Sequence, residues 1–166
     1  MTSNSRTTIC LIVGLFCCLV TTLSAQDPLR SEQYKALKAL PEVVLLVHQP
    51  DPSNNLSLVD ALGLNSKDLS NVVTIRLSKD TPALRVPDTF RNDRPYLEIG
   101  WYGNSTALVL SLSVWRWARI EGVTEAVFSV VWKEENLLVT PSRQRIRDTL
   151  DDFATRFAAD YLRANR

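Results

Sequence analysis

From Ala107 to Arg119 the chain alternates, with Leu108, Leu110 and Leu112 on one side and Ser111, Ser113, Trp115, Trp117 and Arg119 on the other. Side chains of an extended strand alternate with period two, so this run predicts one long strand with a single apolar face. Such a face is stable in water only when a second layer covers it. The cover is legible at the C-terminus. Ile146, Leu150, Phe153, Phe157 and Tyr161 recur at steps of four, three, four and four, which is one face of a helix. The opposite face carries Arg147, Asp148, Asp151, Asp152 and Arg163. Thr140 is the expected N-cap, with Pro141 at the first helical position.

The remaining elements fit around these two. Val43-Val44-Leu45-Leu46-Val47 is a continuous apolar run between Pro41-Glu42 and Pro50-Asp51-Pro52, the pattern of an interior strand buried on both faces. Asn65 or Ser66 can cap a helix running to about Lys79, with Leu69, Val72, Val73 and Leu77 as its apolar stripe. Leu84-Arg85-Val86 reads as a short strand, and further strands are expected over 96–102 and 125–133. The fold class is α+β: two layers, a mainly antiparallel sheet with two helices packed on one face.

Strand register follows from the same alternation, because a slip of one residue exchanges the faces. Turning at Gly103-Asn104-Ser105-Thr106 sets Leu97, Ile99 and Trp101 opposite Leu112, Leu110 and Leu108. For the next hairpin, a two-residue loop at Glu121-Gly122 would set the leucines beside Ser129 and Lys133. A three-residue loop, Ile120-Glu121-Gly122, sets them with Ala126, Phe128, Val130 and Trp132, and gives Gly122 the left-handed position. The second register is therefore expected. The other face then holds Tyr96, Glu98, Tyr102, Ser111, Ser113, Trp115, Trp117, Arg119, Ser129 and Lys133.

All three cysteines, Cys10, Cys17 and Cys18, lie near the N-terminus. There Arg6 precedes an apolar stretch from Thr8 to Val20, and small residues follow up to Ala25. This is the pattern of a secretory signal peptide over 1–25, cleaved after Ala25. Its apolar core is short for a span of about 20 residues, so a retained signal anchor is less favoured, and Leu15-Phe16 before Cys17-Cys18 is not the small-residue run a lipid anchor needs. Residues 26–40 form a lead-in segment and 41–166 a single α+β domain. After cleavage the chain has no cysteine, and its basic and acidic side chains balance. At about 140 residues it buries enough surface to fold without disulfides.

The sequence excludes more chemistry than it offers. With 19 Lys+Arg against 18 Asp+Glu, the chain is no electrostatic nucleic-acid binder. His48 is the single histidine, so no multi-histidine or thiolate metal site is expected, and no metal. Gly63, Gly100, Gly103 and Gly122 make no phosphate loop or dinucleotide fingerprint, so no cofactor is expected. Glu134-Glu135, placed at a strand end, and Asp151-Asp152, on the outer helix face, are read as solvated pairs rather than an acid/base dyad. No catalytic residue is assigned.

Gly63-Leu64, the helix to Leu77, Trp132, and the ending Phe157-Ala158-Ala159-Asp160-Tyr161-Leu162-Arg163-Ala164-Asn165 resemble a family of short, uncharacterised exported bacterial proteins. Where that family has a small-residue stretch after the tryptophan, this chain has Lys133-Glu134-Glu135-Asn136. The arrangement also looks like small α+β domains of bacterial envelope assembly proteins. The resemblance implies an exported protein, periplasmic or secreted, and supplies no activity.

The expected function is a non-catalytic envelope binding or interaction module using Tyr96, Tyr102, Trp115, Trp117 and Arg119, since Trp, Tyr and Arg are enriched at binding hot spots. The expected partner is another envelope protein or an envelope polymer, with a homodimer through the sheet face as a further route. No nucleic acid and no membrane span after signal cleavage are expected. The rival readings are a small hydrolase using His48 and Asp51, and a structural protein without a ligand.

Overall fold

In the computed structural model the described residues are 33–48 and 62–166, apart from Asp88, Phe90, Asn92, Ser105, Ile120, Glu121 and Val123. The signal segment expected over 1–25 and Asp51 lie outside them. The elements run β1 (Val44–Val47), α1 (Ser66–Asp80), β2 (Tyr96–Gly103), β3 (Ala107–Arg119), β4 (Ala126–Val139) and α2 (Arg143–Ala164). They form a mixed α+β fold. A four-stranded sheet has the spatial order β1-β2-β3-β4, with β1 parallel to β2 and the other neighbours antiparallel.

Both helices lie on the leucine side of the sheet and pack against each other. Leu69, Val73 and Leu77 of α1 join Ile146, Leu150, Phe153 and Phe157 of α2 over Leu97, Ile99, Leu108, Leu110, Leu112 and Val114. Leu37 and Leu40, after a helical turn at 33–35, complete this core. Three ion pairs among the described residues hold the helices together. Arg76 Nε donates to Asp151 at 2.8 Å, and Asp68 lies 3.7 Å from Arg143 and 3.6 Å from Arg147. So part of the polar face of α2, expected to be solvated, faces α1 instead.

α1 starts as the sequence indicates, with the Asn65 side chain accepting from the Asp68 N–H at 2.8 Å. α2 starts two residues later than expected. Ser142, not Thr140, is its N-cap and accepts from the Arg145 N–H. Thr140 has φ 49° and donates its N–H to the Thr106 carbonyl at 2.7 Å, closing the end of the β3–β4 pair. Pro141 therefore lies before the helix.

The strand Val43–Val47 sits at the sheet edge, not in the interior. Its apolar character on both sides has two causes. Leu45 and Val47 pack on the core, while Val44, buried, is the register partner of Tyr96 on the other face. Leu84–Val86 contributes a single bridge, Glu42 to Arg85, rather than a strand.

β2 and β3 pair with Leu97 opposite Val114, Ile99 opposite Leu112 and Trp101 opposite Leu110. That is a shift of two from the expected register, which leaves every side chain on its expected face. The pairing extends to Gly103, whose φ is 141° and whose missing Cβ would stand 2.2 Å from the Ala107 carbonyl oxygen.

The β3–β4 register is the main correction. Val114 pairs with Trp132 but Trp115 pairs with Val130, so Val131 is an extra residue in β4, a β-bulge. Beyond it Trp132 and Leu138 point into the core, as expected for Trp132. Toward the hairpin the parity is reversed. Ala126, Phe128 and Val130 lie on the same face as Trp115 and Trp117, and Ser129 turns to the helix side opposite Arg116. β4 also runs on to Val139, so Glu134-Glu135 is mid-strand. There Glu134 meets Arg156 of α2 at 2.9 Å, and Glu135 meets Lys133.

Trp132 fills the core beneath α2, edge-on to Phe157 at 5.2 Å, and its indole N–H donates to the buried Asp160 carboxylate at 3.1 Å. Trp132→Phe is expected to lower stability by ~1–3 kcal/mol in denaturant melts, because it strands that carboxylate. Gly103→Ala is expected to lower the melting temperature more than Gly122→Ala. Both have positive φ, but a Cβ at Gly122 meets nothing within 4 Å.

Candidate functional site

The face turned away from the helices carries the site. Its rows are set by register: Val44, Tyr96, Trp115 and Val130 across one line, then Leu46, Glu98, Ser113 and Lys133 across the next. One register step toward the hairpin, Trp117 stands opposite Phe128. Cross-strand neighbours on one face are close enough for rings to touch. Tyr96 lies 6.0 Å from Trp115 and 5.5 Å from Phe128, between ring centroids. Phe128 lies 6.0 Å from Trp115 and 5.2 Å from Trp117. Four rings from three strands thus make one continuous aromatic surface. Tyr96, Trp115 and Phe128 are half-buried, and Trp117 is 52% exposed.

A carboxylate fixes the orientation of this surface. Glu98 accepts the Trp115 indole N–H at 2.7 Å through one oxygen, and its other oxygen lies 3.3 Å from Nδ1 of His48. His48, just past the end of β1, is held by its own N–H donating to the Ile99 carbonyl at 2.9 Å. The chain His48–Glu98–Trp115 therefore spans three strands. Burial first, and the nearby Glu98 charge second, push the Tyr96 phenol above its ordinary value of 10.0. Its protonated form is favoured on folding, so that contribution is present below about pH 10 and is lost as pH rises through the higher folded value.

Of the five residues expected in the site, Tyr96, Trp115 and Trp117 meet in this surface. Arg119 shares the face and is exposed at the hairpin end, beside Ala126. Tyr102 does not meet them. It lies six residues along β2 from Tyr96, roughly 20 Å at strand rise, and is 74% exposed beside Val109. Phe128, Glu98 and His48 were missed as site members. Phe128 was hidden by the bulge, which no alternation pattern announces. Glu98 was legible as lying on this face, but not as the partner of Trp115. His48 meets Glu98; Asp51, expected beside it, lies outside the described residues. Among the described residues no group of three or more His, Cys, Asp or Glu could hold a metal, and no helix is long and apolar enough to cross a membrane.

No protein-family model matches the chain, and no curated protein matches it. Among solved structures, one uncharacterized protein has 15% identity and a TM-score of 0.37, over 74% of this chain and 89% of its own. A minor lipoprotein from Acinetobacter baumannii has 15% identity and a TM-score of 0.29, over 75% of this chain and 95% of its own. Likeness at that level carries no argument about function.

Glu98→Gln keeps an acceptor for Trp115 and loses the charge facing His48, whereas Glu98→Ala loses both. The alanine variant is expected to cost ~1–2 kcal/mol of stability and to diminish the near-ultraviolet circular dichroism of Trp115. The glutamine variant is expected to keep most of that signal. Equal loss in both would show that the charge, not the hydrogen bond, orients the ring.

Proposed function

We propose that this protein is an exported, non-catalytic binding module of the cell envelope, which engages an envelope protein or polymer through the surface of Tyr96, Trp115, Phe128 and Trp117. The observation that carries the reading is that these four rings gather on the sheet face that neither helix covers. The Trp115 indole is held by Glu98 and the rings contact one another across strands, so little side-chain freedom is lost on binding. A rigid aromatic patch with one well-exposed tryptophan has the make-up of a binding hot spot. Export is supported by the sequence pattern of residues 1–25. Hydrolysis through His48 and Asp51 has no observation behind it, since Asp51 lies outside the described residues.

The discriminating variant is Trp117→Ala. Its ring is exposed and touches only Phe128 among the rings, so the melting temperature is expected to move by no more than a few degrees. In-cell cross-linking and pull-down of the wild-type protein are expected to capture an envelope component that the folded variant loses at least tenfold. Capture unchanged by Trp117→Ala and by Trp115→Ala, with both folded, would overturn the reading.

A further inference from the structure

β4 is the outermost strand of the sheet among the described residues, and its 14 residues make it the longest. An outer strand is a template for one more, because half of its backbone N–H and C=O groups face away from the sheet. Proteins commonly guard such an edge with a bulge or a charged side chain, and β4 has both, at Val131 and Lys133. The guard is incomplete. Beyond the bulge the strand runs regularly from Trp132 to Val139, and Lys133 carries its counter-charge two residues on, in Glu135. Leu137, on the open face of the same run, is 56% exposed.

The strand that suits this edge is a second β4. In a two-fold antiparallel pair of identical strands, opposite residues share a face, so the axis passes through one residue. With the axis at Glu134, Lys133 of each copy stands opposite Glu135 of the other. The same register brings Leu137 to the bulged pair Val130-Val131 of the copy, where Val130 is 39% exposed on the open face. Glu134 meets its own counterpart, but each of these carboxylates already faces an Arg156 at 2.9 Å. Neighbouring registers fail. An axis at Lys133 or at Glu135 sets like charges directly opposite, which is destabilising. An axis at Asn136 sets Lys133 against Val139 and Glu135 against Leu137, and one at Trp132 sets Lys133 against Val131.

We infer that β4 pairs antiparallel with β4 of a second copy, in the register centred on Glu134 that sets Lys133 against Glu135 and Leu137 against Val130. The contact is isologous, so it closes at two copies. Backbone hydrogen bonds along the edge supply affinity, and the crossed charges supply the register. The axis stands normal to the sheet, so both helix layers lie on one side and both aromatic surfaces on the other. The pairing uses none of Tyr96, Trp115, Phe128 and Trp117, so its failure would leave the proposed binding face standing.

The test co-expresses two full-length copies with different C-terminal tags, captures one and measures how much of the other comes with it. Wild type is expected to capture wild type. Lys133→Glu sets two carboxylates opposite each other at both contacts, and Glu135→Lys sets two ammonium groups there. Each variant paired with itself is expected to lose co-capture by about tenfold or more. Lys133→Glu expressed with Glu135→Lys restores an opposite-charge contact at both positions, and is expected to recover most of the wild-type signal. Both side chains are exposed and an exposed ion pair contributes little, so each variant is expected to keep the wild-type circular dichroism. The doubly swapped chain, Lys133→Glu with Glu135→Lys, is expected to pair with itself and serves if a single variant does not fold. No co-capture of wild type by wild type would overturn the inference. So would equal co-capture in every combination, or charge-restored pairs that capture no better than the single variants alone.

Discussion

One extra residue in β4 decides what both faces of the sheet can be. Without the bulge at Val131 the alternation of β4 would run unbroken, and Trp132 and Phe128, four residues apart, would have to share a side. With it, Trp132 enters the core against Phe157 while Phe128 joins Tyr96, Trp115 and Trp117 on the open face. A bulge strengthens local twist and re-aims the side chains that follow it, at the cost of one unpaired ladder position. Here that cost sustains two aromatic clusters on opposite sides of one strand pair. The core cluster holds α2 down; the other is the surface proposed to meet a partner.

The two layers are joined differently at their centre and margins. The centre is apolar, with Leu97, Ile99, Leu112 and Val114 fully buried beneath the helices. The margins are ionic: Arg76 with Asp151, Asp68 with Arg143 and Arg147, Glu134 with Arg156. Partly exposed pairs of this kind contribute little energy each. They do fix which face of each helix turns inward, since rotating α2 would separate three of its arginines and Asp151 from their partners. Trp132–Asp160 adds a directional hydrogen bond where packing alone would tolerate rotation.

The layering was legible because period-two and period-3.6 patterns are strong in β3 and α2, where one face is wholly apolar. Even the two-residue error at Gly103 left the faces of β2 intact, since faces depend only on parity. β4 was only half legible. The two loop lengths considered for its hairpin have opposite parity, and each parity describes one half of the observed pairing. Trp115, Trp117 and Tyr96 were readable as one face because they fall on strands without a bulge between them. The partnership of Glu98 with Trp115 and His48 was not, because it depends on the parallel docking of β1, and no local pattern records parallel neighbours. Thr140 misled for a related reason: its sequence suits a cap, but its backbone is needed to finish the sheet.

That parallel docking also sets an order of events. β2, β3 and β4 are joined by short turns, whereas β1 finds its strand partner among the described residues some fifty residues later in the chain. A chain that emerges N-terminus first therefore presents Val43–Val47 to solvent while α1 and the segment up to Pro95 are still to come. During that interval the strand is an unshielded apolar edge, and its rescue depends on a crossover that must close over the finished hairpins. Of the described strands β1 is the first synthesised and must wait for β2, so His48 at its tip can meet Glu98 only after α1 and the segment to Pro95 have followed it.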